Sequence, residues 1–173
     1  FRVCEVAPAK LAATLERVRP AEILVPDNLG LSFPAEVALT RQADWQFDFA
    51  NASRELCAHF GTTSLAGFGA DGLRPAIAAA GALLRYAKAT QARALPHLRA
   101  LMVEHDTTFV GLDTATRRNL ELTETLRGQA SPTLFSVLDN CITAMGSRLL
   151  RHTLHHPLRD PAIPGARHAA IAM

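Results

Sequence analysis

The hydrophobic period of this chain changes near residue 107, and no single layer of secondary structure satisfies both patterns. Before the change, short alternating or compact apolar runs are interleaved with helical spacing. Phe1 and Val3 alternate with Arg2 and Cys4, Leu11, Leu15 and Val18 recur at helical intervals up to Pro20, and Ala21 to Val25 forms an apolar run closed by Pro26. Strand, helix and strand within about 25 residues predict a minimal β-α-β unit. Trp45, Phe47 and Phe49 alternate in WQFDF, which predicts another strand, and Asn51 stands where a residue would cap a helix carrying Leu56, Cys57 and Phe60. The remainder reads as helical throughout. The expectation is therefore an α/β portion over residues 1–107 followed by an all-α portion over residues 108–173.

Within that frame Ile77, Ala80, Leu84 and Ala87 mark one face of a helix reaching about Gln91. Gly81 lies beside that face. A helix-interior glycine costs roughly 1 kcal/mol, which implies a packing reason such as close approach of another backbone. Leu95 to Glu104, containing Pro96, reads as an extended connection. Further on, Leu112, Ala115, Asn119, Leu122 and Leu126 fall near one stripe, with Arg117 and Glu121 four residues apart as a surface pair. Ser131 before Pro132 has the form of an N-cap with proline at the first helical position, introducing Leu134 and Leu138. Met145, Leu149, Leu150 and Leu154 line a last helix that stops before Pro157.

The stretch GFGADG, Gly67 to Gly72, fits G-x-G-x-x-G and runs into an alanine-rich helix. In a dinucleotide site a buried strand precedes such a loop and an acidic residue follows about twenty positions later. Here HFGTTSLA precedes it and TQARALPHL follows, with neither the apolar strand nor the carboxylate. The better reading is that Gly67, Gly69 and Gly72 permit positive φ before a helix with Pro75 in its first turn.

Composition narrows the function classes. With 49% hydrophobic and 20% charged residues among 173, the chain can bury a globular core. Its 18 basic and 16 acidic residues are interspersed, so no nucleic-acid or membrane footprint stands out. Cys4, Cys57 and Cys141 are odd in number and sit in apolar surroundings, which suits buried reduced thiols in a cytoplasmic protein. No apolar run reaches the roughly 18 residues of a membrane span, and no signal peptide is apparent. The opening FRVCEV and closing RHAAIAM suggest a piece of a longer protein.

His152, His155 and His156 form HxxHH, with spacing that places zinc ligands on one helix face. Asp160 is the nearest further ligand, past a proline, and no glutamate sits between the histidines. Partly exposed histidines at a helix end, favoured by the dipole, are the preferred reading. Ser136 with His152, and Cys57 with His59, lack any nucleophile frame. Asp44 with Asp48, and Asp139 with Glu124, read as caps or solvated faces rather than acid/base pairs.

The phrases FRVCE, RPAEILVP, LAGFG, AAGALLRYAKATQ, LPHL, LDTATRRNLEL and TLFSVLDNCITAMGSRLLRHTLHHPLRD follow one another over nearly the whole chain. In this order they resemble the MutS family of bacterial DNA mismatch-repair proteins. The resemblance implies that the first portion is the second half of a connector domain, RNase H-like in fold, and that LDTATRRNLEL opens a helical core leading into the levers. LAGFG is then a structural turn. The mismatch-reading Phe-x-Glu motif and the Walker A loop of such proteins are both missing, so the fragment is expected to have no catalytic, metal or cofactor site of its own. ATP and magnesium would belong to the full-length parent, which is expected to be an ATPase and a homodimer, with mismatched DNA and MutL as partners. Helices bearing Leu120 to Leu126 and Met145 to Leu154 would transmit motion between its ends. The surface offered to MutL would involve the helix side around Arg85, Lys88 and Gln91. A standalone α/β nucleotide-binding enzyme using GFGADG is the alternative. Two departures from the family pattern stand out: Thr153 where tryptophan is usual, and Pro164-Gly165 in a leucine-rich helix, where proline is expected to delay or kink the helix.

Overall fold

The computed structural model describes residues 1–31, 33, 37–91, 95–105 and 107–172. In chain order its elements are β1 (Arg2–Val3), α1 (Leu11–Val18), β2 (Glu22–Pro26), β3 (Ala38–Gln42), α2 (Phe49–Phe60), α3 (Arg74–Gln91), β4 (Met102–Val103), α4 (Thr114–Asn119), α5 (Leu134–Leu138), α6 (Ala144–His155) and α7 (Ala162–Ile171). They form two compact units, one made of Phe1–Glu5 with Pro20–His105, the other of Val6–Arg19 with Asp106–Met173. The first is mixed α/β; the second is helical.

In the first unit, Ala52 and Leu56 of α2 and Ile77, Ala80 and Leu84 of α3 are buried at helical spacing and form the centre of the core with Leu65, Leu95 and Leu101. Gly81 explains how the two helices approach. A Cβ at this position would stand 2.3 Å from the Ala52 Cβ and 2.6 Å from its Cα, so only glycine fits. The packing reason expected for this glycine is the observed one.

The strands pair differently from the β-α-β expectation. β1 pairs in parallel with β4, Val3 opposite Val103, while β2 pairs in parallel with β3, Ile23 opposite Leu39. Among the described residues these are separate two-stranded sheets. Consequently β1, α1 and β2 do not make a β-α-β unit, and α1 belongs to the second unit. β4 lies inside the expected extended connection, held by the Met102 N–H donating to the Phe1 carbonyl (2.8 Å) and the Glu104 N–H to that of Val3 (2.8 Å).

WQFDF is not a strand. Asp44–Phe47 is a 3₁₀ turn, after which α2 begins. Asp44 accepts from the Asn28 N–H and side-chain amide, and Asp48, rather than Asn51, caps α2 by accepting from the Asn51 N–H at 2.8 Å. The Asp48 carboxylate thereby offers the backbone a local alternative to a sheet ladder, while Asp44 ties the turn to Asn28.

The second unit also departs from its apolar stripe. α4 is capped by Asp113, which accepts from the Thr116 N–H at 2.6 Å, and it ends at Asn119. From Leu120 the chain turns, with Glu121 at φ +42° and its carboxylate accepting from the Leu126 N–H at 2.6 Å. Leu120 to Leu126 is thus not a helix, and the Arg117–Glu121 surface pair does not form: Arg117 is buried. The α5 cap is Thr133, not Ser131, in a reciprocal pair of hydrogen bonds with Ser136. In α6, Leu150 and Leu154 are half-buried, whereas Met145 and Leu149 are exposed. Pro164 does not delay α7. It occupies the first turn, where N–H groups have no helical acceptor, so its missing donor is not needed.

Candidate functional site

The glycine loop makes a short 3₁₀ turn, Ala66–Phe68, that ends on Gly69 at φ +69°, followed by Gly72 at φ +88°. These two sit in the left-handed region that favours glycine; Gly67 has no positive φ, which corrects one of the three assignments. Ala70 between them is fully buried in the core. The loop is thus an entry to α3 built for packing. Residues 92–94, in the stretch where a ribose-binding carboxylate would be expected, lie outside the described residues.

On α3 the three suggested partner residues have different surroundings. Arg85 is tied down: its Nε donates to Gln46 Oε1 at 2.7 Å, Nη2 donates to the Gln46 carbonyl, and Nη1 lies 3.0 Å from Glu55 Oε1. It fastens α3 to the Asp44–Phe47 turn and to α2. Lys88 and Gln91 are exposed. Near them Gln42, Arg85, Tyr86 and Thr90 line a cleft of about 470 Å³, at whose edge the Tyr86 hydroxyl donates to Glu22 Oε1 at 2.7 Å. A bond from Thr40, and then that from Tyr86, hold the Glu22 carboxyl below its usual range, and the carboxylate in turn raises the Tyr86 hydroxyl.

The histidines divide. His155 is buried, correcting the expectation of exposed histidines, and it meets two partners distant in sequence. Arg117 Nη1 donates to the His155 carbonyl at 3.0 Å and stands 3.3 Å from His155 Nδ1, while Thr123 Oγ1 is 2.9 Å from Nε2. A guanidinium has donors only, so Nδ1 must accept and Nε2 carries the proton toward Thr123. The ring is neutral, both nitrogens are engaged, and neither is left to ligate a metal. Burial first, then the positive charges of Arg117 and Arg19, push its pKa to about 4. Burial, opposed only in part by Glu16, also lowers the Arg117 pKa. His152 and His156 stack with ring centroids 4.0 Å apart, and His156 Nδ1 lies 2.8 Å from the His152 carbonyl. Among the described residues no group of three or more His, Cys, Asp or Glu side chains is placed to hold a metal.

The other paired residues serve the fold. Ser136 belongs to the α5 cap, His59 Nε2 lies 3.0 Å from the Leu98 carbonyl, Asp139 accepts from Ser147 at 2.9 Å, and Glu124 pairs with Arg19 at 2.7 Å. Cys57 is half-buried and Cys141 exposed, so a buried role fails for Cys141. No helix among the described residues is long and apolar enough to cross a membrane. Sequence reading missed the Arg117–Thr123–His155 cluster because Thr123 and Arg117 lie 32 and 38 residues from His155 and no local pattern joins them.

What the fold and these residues define is a mixed α/β unit followed by a helical one, with its conspicuous polar groups occupied in capping, turns and buried hydrogen bonds. Residues 1–99 match the family model described as MutS domain II, and residues 115–173 match that of MutS domain III. The chain belongs to the MutS family, and the two domains are those of a MutS-type mismatch-repair protein.

Proposed function

We propose that this chain does no chemistry itself, that it couples the ATPase and DNA-binding ends of a MutS-type protein, and that its domain II offers a surface to MutL. The observation that carries this reading is the succession of the two domain matches in one polypeptide. The first would be the RNase H-like connector and the second the start of the core. Coupling requires elements that move as bodies, and the buried Arg117–Thr123–His155 bonds join α4, the turn after it and the end of α6 into such a body. For the MutL surface, exposed Lys88 and Gln91 are the contact residues; Arg85 supports α3 beneath them.

The test is a titration of the chain with the N-terminal domain of MutL, with mismatched DNA and ATP in parallel. Binding to MutL that weakens about tenfold in Lys88→Glu, as loss of one interfacial charge contact allows, supports the reading. Micromolar ATP binding would instead revive an enzyme built on the glycine loop. No binding to any of the three would remove the MutL surface from the proposal.

A further inference from the structure

A second feature lies wholly within the helical unit and is independent of the MutL reading. α6 carries Arg148, Arg151, His152 and His155 at i, i+3, i+4 and i+7, the spacing that gathers side chains on one face. That face forms one wall of a cleft of about 700 Å³, and Arg17 and Arg19 at the end of α1 reach the same cleft. Four arginines therefore line it, against one acidic residue among the described lining residues, Glu124. Glu124 is already engaged, its Oε2 lying 2.7 Å from Arg19 Nη2. Two of the other guanidinium groups rest on aromatic rings: Arg151 sits 4.4 Å from the centroid of Phe135, and Arg17 5.1 Å from that of Phe109. Arg148 is exposed.

Such crowding of like charge is unfavourable without a counterion. His155, which lines the same cleft, is held below its usual range by burial first and then by positive charge that includes Arg19 and Arg151 of the cleft. Several arginines converging on a concave surface match a multiply charged oxyanion: each planar fork donates two parallel N–H groups to adjacent oxygens, a geometry that suits phosphate. The volume is that of a small-molecule site. The ends of α1 and α6 contribute carbonyl groups of the opposite polarity, so the guanidinium groups, not the helix dipoles, must supply the attraction.

We propose that this cleft binds phosphate groups through Arg148, Arg151 and Arg19, with Glu124 displaced from Arg19 as the anion enters. The phosphate can be presented as a free polyphosphate or along a nucleic-acid strand, and the two are separated by experiment. Pyrophosphate is tested by its effect on the melting temperature of the full 173-residue chain, and a fluorescein-labelled oligothymidylate by anisotropy at low and at moderate salt. The variant Arg148→Glu/Arg151→Glu reverses two exposed charges; Arg54→Glu/Arg99→Glu makes the same change of net charge in the other unit. Arg148→Ala serves as the milder substitution should the double variant lose its helical circular dichroism.

Loss of two charge-assisted contacts predicts binding weakened at least about tenfold in Arg148→Glu/Arg151→Glu, with little change in Arg54→Glu/Arg99→Glu. Stabilisation by pyrophosphate alone assigns a free anion. Anisotropy change with a steep salt dependence, and no pyrophosphate effect, assigns a strand that needs several contacts at once. Binding of neither probe, or equal loss in the two double variants, overturns the proposal.

Discussion

A proton on His155 would have to sit on Nδ1, the nitrogen that faces the Arg117 guanidinium at 3.3 Å. Burial first, and then that position beside Arg117, explain why its pKa falls from 6.5 to about 4 and fix the sign of the pH response. Between these values the unfolded chain binds more protons than the folded one, so stability rises with pH from about 4 to 6.5 and is level above. At 1.36 kcal/mol per pKa unit the effect is at most about 3 kcal/mol, reduced where solvent screens the ring. The carboxyls of Asp113 and Asp139, held below their usual range, act in a lower window: their contribution is present above pH 4 and is lost as pH falls further. Urea midpoints between pH 4.5 and 6.5 should therefore slope upward in the native chain and flatten in His155→Gln. A second substitution examines the other nitrogen. Thr123→Val keeps the shape but leaves Nε2–H without an acceptor, and should destabilise by about 1–3 kcal/mol at pH 7; an unchanged urea midpoint would mean that the ring has turned to find another partner.

Helices α2 and α3 meet where Gly81 faces Ala52, and the fit leaves no room for a methyl group. Gly81→Ala gains helix propensity of about 1 kcal/mol, yet it must force the helices apart or strain them, an overpacking cost of about 1–3 kcal/mol. The prediction is net loss of thermal stability, only partly restored by Ala52→Gly, because a methyl group at position 81 would also crowd the Ala52 backbone. A Gly81→Ala chain as stable as the native one would show that the two helices can separate freely. This contact was legible in the sequence: a glycine beside an apolar helical face marks the place where a second backbone comes close, and the buried positions Ile77, Ala80 and Leu84 follow directly from period. The strand pairings were not. β1 finds its partner about a hundred positions away in a two-residue strand, which leaves no periodic signal at either end. WQFDF is not a strand although its aromatic residues alternate, because Asp48 within it caps α2 and that bond decides the local backbone. Likewise the stripe through Leu126 ran past Asn119 because hydrophobic period alone does not register the left-handed turn at Glu121.

For the whole molecule, identity was more legible than mechanism. Long motif phrases in order carry the family across both units, whereas the Arg117–Thr123–His155 bonds and the arginine cleft depend on side chains brought together by folding. One property of the complete chain follows from what it leaves uncovered. Val137, Ile142, Met145 and Leu149 are all more than 60% exposed, Ile142 fully, and they lie along α5, the following turn and α6. Large apolar side chains left exposed in neighbouring segments favour association in water, since each buried methylene contributes about 0.8 kcal/mol. A formal net charge of +2 supplies little long-range repulsion to oppose it. Sedimentation velocity should accordingly show a weight-average mass that rises with concentration, at moderate salt where residual repulsion is screened. Met145→Lys/Leu149→Lys should restore a single species near 18.6 kDa without loss of helical signal, because both side chains face solvent and make no contribution to the buried core. If the native chain instead sediments as one species of that mass at every concentration, the uncovered residues are too dispersed to act as a patch, and their exposure is an ordinary feature of the surface.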